Sequence, residues 1–184
     1  TRGARADQGD PPDVEAQRLA HLLGYVAADY GDAVKGGVVA SSAEYEEQRS
    51  LLREAAAIAK RLDDAPKPVP TTAKLSELVA GVAGKVDAKA DASEVGADAT
   101  KARGSVLAAF GVSEAPKVIP NPLHGKNLFQ QYCSECHGAA GSGDGPKSKS
   151  LDPKPANYLA EGMDARLAPA RVAATIRFGV SGTA

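Results

Sequence analysis

The chain has 184 residues, of which 43% are hydrophobic, and its 22 basic and 23 acidic side chains give a formal net charge of -1. This balance gives no reason to expect a nucleic-acid partner, because nucleic-acid binding requires a basic surface. No run of about 18 apolar residues is present, so the sequence predicts no segment that spans a bilayer. Aromatic residues make up only 4% of the chain and alanine is frequent. That composition favours packed helices over a β-sandwich.

Four amphipathic helices are predicted over residues 12–111, after a polar N-terminal segment over residues 1–11. Apolar residues recur there at the helical period in four stretches. These stretches begin at Leu19, Leu51, Leu75 and Val95. Ser41 and Glu44 have the spacing of a capping box at the start of the second helix, and the Pro-rich stretch over residues 65–70 ends that helix. Four such helices with short connections predict an antiparallel four-helix bundle.

A linker is predicted over residues 112–121, because its prolines are incompatible with a helix. A second domain is then predicted over residues 122–184. Asn121 can cap its first helix and Pro122 can occupy the first helical position. The buried face of that helix is predicted to contain Gly125, Leu128, Phe129 and Tyr132. The helix leads directly into a pair of cysteines.

The last helix of the second domain is predicted over residues 169–178, after a Gly-rich loop without periodicity. Val172 and Ile176 are expected to face inward, and Gly179 is expected to end the helix. With the four helices of the first domain, this predicts an all-α chain. Its fold class is an antiparallel helical bundle followed by a second, smaller helical domain.

The only two cysteines, Cys133 and Cys136, stand in the sequence CysSerGluCysHis, which is the pattern for covalent attachment of a c-type haem. Two thiols at this spacing can add to the two vinyl groups of one porphyrin, which brings His137 beneath the iron as an axial ligand. The alternatives are a redox dithiol and half of a zinc site. A zinc site needs further ligands, which His21 and His124 do not obviously supply. A thioredoxin-type dithiol requires a strand–helix context, whereas a helix precedes this motif.

The second domain resembles a class I cytochrome c. The resemblance rests on the helix before Cys133, on the motif itself, on the Gly-rich loop and on LeuAspProLysProAlaAsnTyr at residues 151–158. It implies that a proline carbonyl after the loop accepts a hydrogen bond from the second nitrogen of the ligand histidine. Pro155 is the first choice for this role and Pro153 the second. Such a bond fixes the ring and raises its basicity as a ligand.

Over residues 17–184 the chain is similar to the N-terminal part of bacterial cytochrome c/iron permease fusion proteins. The phrases that carry this resemblance lie at residues 17–35, 44–49, 143–146, 154–158 and 177–184. The resemblance implies a periplasmic chain, tethered to the membrane in the full-length protein, in which a ferric permease follows the cytochrome domain. It also implies one covalent haem c and a redox partner protein.

The second axial ligand of such a haem is often a methionine, and the only methionine is Met163. The resemblance implies that the axial methionine follows the last helix, directly after a GlyThrAla-like phrase. The chain ends on SerGlyThrAla. We therefore expect the second ligand to be a Met beyond Ala184, with Met163 as the alternative, and the cytochrome domain to be incomplete at its C-terminus.

Several carboxylates are expected to gather at one end of the bundle, where they form either a solvated acidic face or a site for iron ions. These residues are Asp29, Asp32, Glu44, Glu46 and Glu47. The sequence contains no Glu-x-x-His pair, so the ferritin-type di-iron pattern is absent. We favour the solvated face.

The function expected from the resemblance is electron transfer, coupled to the oxidation of ferrous to ferric iron for uptake by a linked permease. The alternative is a periplasmic electron-transfer cytochrome that serves a dehydrogenase or an oxidase. A third possibility treats the bundle as a docking module and the haem as a sensor. No nucleophile–base pair is evident, so an electron-transfer protein is favoured over an enzyme.

Overall fold

The chain divides into two compact units, Thr1–Ser113 and Glu114–Ala184, and the boundary falls inside the segment predicted as a linker. A computed structural model describes residues 10–65, 73–115, 118–163 and 167–179. Most of the N-terminal segment, most of the Pro-rich stretch and the final SerGlyThrAla phrase lie outside the described residues. The described residues form seven helices and one two-stranded hairpin, so the predicted all-α class is confirmed.

The first unit is a bundle of four helices. They are α1 (Pro12–Ala33), α2 (Ser42–Asp63), α3 (Leu75–Asp87) and α4 (Ala92–Phe110). A short antiparallel hairpin, β1 (Val34–Lys35) and β2 (Val38–Val39), connects α1 to α2. Helix α1 packs against α2 and α4, and α3 packs against the same two helices. Each helix therefore contributes one apolar face to a shared core.

The predicted apolar stripes form that core. Leu19, Leu23 and Val26 of α1 and Leu51 and Ile58 of α2 are all at most 2% exposed. The helix boundaries also follow local signals. The Ser41 hydroxyl accepts a hydrogen bond from Glu44 N at 3.3 Å, as the capping pattern predicts. Gly111 ends α4 with φ 59°, a left-handed conformation that glycine adopts without steric cost.

Helix α3 is capped by a side chain from the end of α2. Its own N-cap position holds Lys74, which supplies no side-chain cap. The Asp63 carboxylate accepts hydrogen bonds from Leu75 N at 3.0 Å, from Ser76 N at 2.9 Å and from the Ser76 hydroxyl at 2.6 Å. Burial by itself raises the pKa of Asp63, but these hydrogen bonds outweigh it and leave the pKa below its ordinary value. The carboxylate thus links the two helices across their connection.

The second unit contains three helices among its described residues. They are α5 (Pro122–Tyr132), α6 (Ser134–His137) and α7 (Pro169–Phe178), with a 3-10 turn at Ser148–Ser150. The Asn121 side chain accepts from Leu123 N and His124 N at 3.0 and 3.2 Å, so the predicted cap of α5 is confirmed. No helix in the described parts of the chain is long and apolar enough to cross a bilayer.

The predicted inner faces of α5 and α7 are not buried by the described residues. No residue of α5 is buried; Leu128 is 41% exposed and Tyr132 is 70% exposed. In α7, Ile176 is 79% exposed and Ala174 is buried instead. Val172, the other residue predicted to face inward, is half-buried, so α7 packs through Ala174 and Val172 but not through Ile176. For Ile176 the prediction was wrong, because helical periodicity shows that a face is apolar but not what covers it. The predicted inner face of α5 is apolar and largely exposed here, and it stays a prediction.

Candidate haem site

The CysSerGluCysHis motif forms the joint between α5 and α6. Cys133 ends α5, where its N–H donates to Phe129 O at 2.8 Å, and its own carbonyl accepts from His137 N at 2.9 Å. Cys133 and Cys136 are free thiols and both are half-buried. Residues three apart on a helical turn project to the same side. The turn therefore holds both thiols on one face, followed directly by the imidazole.

The Gly-rich loop wraps around α6 and satisfies its terminal carbonyls. Gly143 N donates to His137 O at 2.8 Å, Gly145 N to Cys136 O at 3.2 Å, and Lys147 N to Glu135 O at 2.9 Å. A Cβ atom at Gly145 would overlap the backbone carbonyl of Glu135, so only glycine allows the loop to approach this closely. The loop thus fixes the short helix that carries the motif.

The His137 imidazole is held at one edge by the chain that follows the loop. Its Nδ1 lies 3.2 Å from Ala156 O. A carbonyl oxygen can only accept, so the proton of the neutral ring is on Nδ1 and the lone pair is on Nε2. This is the tautomer in which Nε2 can bind a metal.

The acceptor is one residue later than the sequence predicted. Pro155 was expected to supply it, with Pro153 as the second choice, yet the carbonyl of Ala156 faces the imidazole. The Pro155 carbonyl is directed at Gly143, where an added Cβ would lie only 2.7 Å from the oxygen. Successive carbonyls of an extended chain point to opposite sides, so a shift of one residue exchanges their partners. The predicted kind of interaction is present, and the predicted residue is corrected.

Sequence reasoning assigned no role to Tyr158, although it ends the quoted phrase at residues 154–158. Its ring stacks on His137 with centroids 4.7 Å apart and an interplanar angle of 18°, and its hydroxyl oxygen lies 3.2 Å from His137 Nε2. Its backbone N–H donates to Gly141 O at 2.8 Å. The sequence contained one indication of such a role, since Tyr158 is an aromatic residue only three positions after Pro155, the predicted hydrogen-bond acceptor.

Comparison with protein families matches the two units separately. A family model described as the iron permease-associated 4-helix bundle domain matches residues 5–113. The chain belongs to this family. The cytochrome c family model matches residues 123–181. Comparisons with curated proteins and with solved structures found no match.

The two matches confirm the resemblance to the N-terminal part of cytochrome c/iron permease fusion proteins. A cytochrome c domain carries covalently bound haem and transfers electrons, and it implies a redox partner. The iron permease-associated bundle implies association with an iron permease. Both domains are compatible with an extracytoplasmic location.

The residues of the cytochrome c unit fit a haem. The donor set is complete on one side, with two free thiols and an imidazole whose Nε2 carries a lone pair. In the described part of this unit, Ala174 is the only buried hydrophobic residue. The large apolar side chains that are exposed instead include Leu123, Leu128, Leu159 and Ile176. A domain with so little apolar interior of its own needs another apolar body to pack around, which a porphyrin would supply.

The acidic residues of the iron permease-associated bundle do not form a metal cluster. Among the described residues, no three His, Cys, Asp or Glu side chains are grouped so that they could hold a metal ion. Burial raises the pKa of Glu47, and the nearby charges of Glu44 and Asp29 raise it further. Asp29, Glu44 and Glu47 therefore gather as predicted, and the preference for a solvated face over an iron site stays a prediction.

The remaining candidate ligands have ordinary surroundings. His21 is 3% exposed within the bundle, where its ring meets the edge of Tyr25 at a centroid distance of 4.9 Å. His124 lies exposed in the first turn of α5. Met163 is half-buried, and its backbone N–H donates to Ala160 O at 3.1 Å.

Proposed function

We propose that this chain is a periplasmic electron-transfer module that takes electrons from ferrous iron, directly or through a redox partner, so that ferric iron reaches a linked permease. The observation that supports the coupling to iron is the presence of an iron permease-associated bundle and a cytochrome c domain on one chain. Neither domain alone would link one-electron chemistry to iron uptake.

We further propose that one haem c is bound, through thioethers to Cys133 and Cys136, with His137 Nε2 as an axial ligand. The hydrogen bond to Ala156 O keeps the proton on Nδ1 and raises the basicity of Nε2. When bound, the haem supplies one-electron chemistry, and each ferrous ion that is oxidised gives up one electron.

The haem assignment is tested by maturing the protein in an oxidising compartment that contains haem-attachment machinery. The purified protein should exceed the polypeptide mass by one haem and keep its colour after acid–organic extraction. Cys133→Ala and Cys136→Ala each remove one thioether and should weaken or abolish attachment. Haem that is extracted intact from the unchanged protein would contradict the assignment.

The coupling to iron is tested by mixing the oxidised protein with Fe(II) under anaerobic conditions and following the haem absorbance. We expect reduction at a rate that saturates with Fe(II) and decreases when redox-inert Zn(II) competes for the same contact. Reduction by ascorbate should be insensitive to Zn(II) and serves as the control. If Fe(II) does not reduce the haem, the alternative role as an electron carrier for a dehydrogenase or an oxidase is favoured.

The contribution of the bundle is tested in the whole chain with a triple variant, Asp29→Asn, Glu44→Gln and Glu47→Gln. Because these carboxylates belong to no group of three His, Cys, Asp or Glu side chains that could hold a metal ion among the described residues, we expect the variant to be reduced by Fe(II) at the parental rate. A slower Fe(II) reaction with unchanged ascorbate reduction would instead assign the acidic face a role in recruiting iron.

A further inference from the structure

The plane of the His137 ring is not set by its own side-chain rotamer. The second torsion of a histidine side chain joins a tetrahedral carbon to a planar ring, and its energy profile is broad. The hydrogen bond from Nδ1 to Ala156 O holds one edge of the ring but leaves it free to tilt about the line of that bond. A contact on the face of the ring is needed to remove the tilt.

Tyr158 makes that contact. Aromatic rings with centroids 4.7 Å apart and an interplanar angle of 18° lie face to face with an offset. The Tyr158 hydroxyl oxygen lies 3.2 Å from Nε2, within hydrogen-bond distance, so its O–H can donate to the Nε2 lone pair of the neutral ring. An iron atom bound at Nε2 would take the place of this hydrogen bond, whereas the contact between the two ring faces does not depend on it.

Tyr158 is itself held firmly enough to act as a support. Its N–H donates to Gly141 O at 2.8 Å, and its ring meets Phe129 edge-on at a centroid distance of 6.5 Å. A Cβ atom at Gly141 would lie 3.2 Å from Tyr158 Cδ2, and Gly141 has φ +84°. A glycine at this position lets the loop close over the tyrosine ring. The loop therefore holds Tyr158 in place, and Tyr158 in turn contacts the imidazole.

We propose that Tyr158 is a positioning residue that fixes the plane of the His137 imidazole relative to the haem. The inference rests on the proposed role of His137 as axial ligand. Ala156 holds the edge of the ring and Tyr158 holds its face, and together they allow one orientation. The stacked ring performs this role, so the hydroxyl is dispensable.

The orientation is measured by proton NMR in the oxidised, haem-loaded protein with cyanide bound as the second axial ligand, which makes the iron low-spin. The order and spread of the four haem methyl shifts depend on the plane of the axial imidazole. Tyr158→Leu removes the stack and is expected to change the order or spread of these shifts. Tyr158→Phe retains the stack and should restore the parental pattern. Tyr25→Leu, in helix α1 of the bundle, is the matched control and should leave the pattern unchanged.

A second measurement needs no substitution and covers the case in which Tyr158→Leu fails to mature. In the reduced protein with carbon monoxide bound to the iron, which makes the haem low-spin and diamagnetic, nuclear Overhauser effects should connect the ring protons of Tyr158 and His137. If these effects are absent, or if Tyr158→Leu keeps the parental methyl pattern, the inference is overturned. Failure of the proposed function has a different result, because then no covalent haem is found or the spectrum is indifferent to His137→Ala.

Discussion

The cap that Asp63 provides for α3 makes a quantitative prediction about the stability of the bundle. Asp63→Ala removes the acceptor for three hydrogen bonds from Leu75 and Ser76. Loss of a side-chain cap costs about 0.5–2 kcal/mol, and loss of a negative charge at a helix N-terminus adds about 0.3–1 kcal/mol. Because Asp63 is only partly buried, we expect a total loss of about 1–2 kcal/mol.

Neighbouring substitutions provide matched comparisons. Asp64 pairs with Lys60 at 2.7 Å, but both side chains are largely exposed, so Asp64→Ala should cost only about 0.3–0.5 kcal/mol. Asp63→Asn keeps one acceptor oxygen where the carboxylate uses two, and should lie between Asp63→Ala and the parent. Urea unfolding followed by far-ultraviolet circular dichroism gives the differences, with a midpoint shift of about 1 M for Asp63→Ala.

The pH dependence identifies the carboxylate as the cause. The folded pKa of Asp63 lies below its unfolded value of about 3.9, so the stabilisation is complete above that value. It is lost as the pH falls through the folded pKa. The gap between the parent and Asp63→Ala should therefore be constant at mildly acidic to neutral pH and narrow below about pH 4. Amides of α3 should also exchange faster in Asp63→Ala. If Asp63→Ala is no less stable than Asp64→Ala at pH 7, the cap does not support α3 and the reasoning is refuted.

Three further substitutions test the packing. Leu22 is 4% exposed, so Leu22→Asp buries an unpaired charge in the core and should unfold a bundle whose stability is of the order of 5–15 kcal/mol. A thermal melting curve like that of the parent would place Leu22 outside the core. Glu47→Gln should stabilise the bundle by about 0.2–0.5 kcal/mol at pH 7, because the pKa of Glu47 is raised in the folded state and its ionised form therefore opposes folding. In urea unfolding measured at acid pH, where Glu47 is protonated, the difference in stability should vanish. Gly145→Ala should force the loop away from α6 and reduce the yield of covalent haem measured by mass, whereas Gly104→Ala, with open space around its Cβ, should not.

Local patterns in the sequence predicted the bundle well. The apolar stripes of α1 to α4 are buried as their helical period predicts, and the caps at Ser41 and Asn121 form with the expected backbone amides. These features depend on residues three or four positions apart, whose geometry is fixed once a helix forms. The attachment motif is equally local, because the spacing of Cys133, Cys136 and His137 is part of the sequence itself.

Contacts between distant segments could not be predicted in the same way. The carbonyl at His137 belongs to Ala156 and not to Pro155, because the partner of each carbonyl depends on the path of the loop to within one residue. The stack of Tyr158 on the imidazole depends on the same path.

The sequence by itself therefore determined the helices, their apolar faces and the chemistry of the cysteine–histidine motif, since each follows from neighbours along the chain. Only the tertiary structure decided which face of α7 packs inward, that Asp63 caps a helix that begins 12 residues later, and which groups orient His137. The physical reason is that hydrogen bonds and ring contacts are short-ranged and directional. If a connecting segment is shifted by one residue, a different group becomes the hydrogen-bond partner, as with Ala156 and Pro155 at His137. The local sequence pattern does not show such a shift.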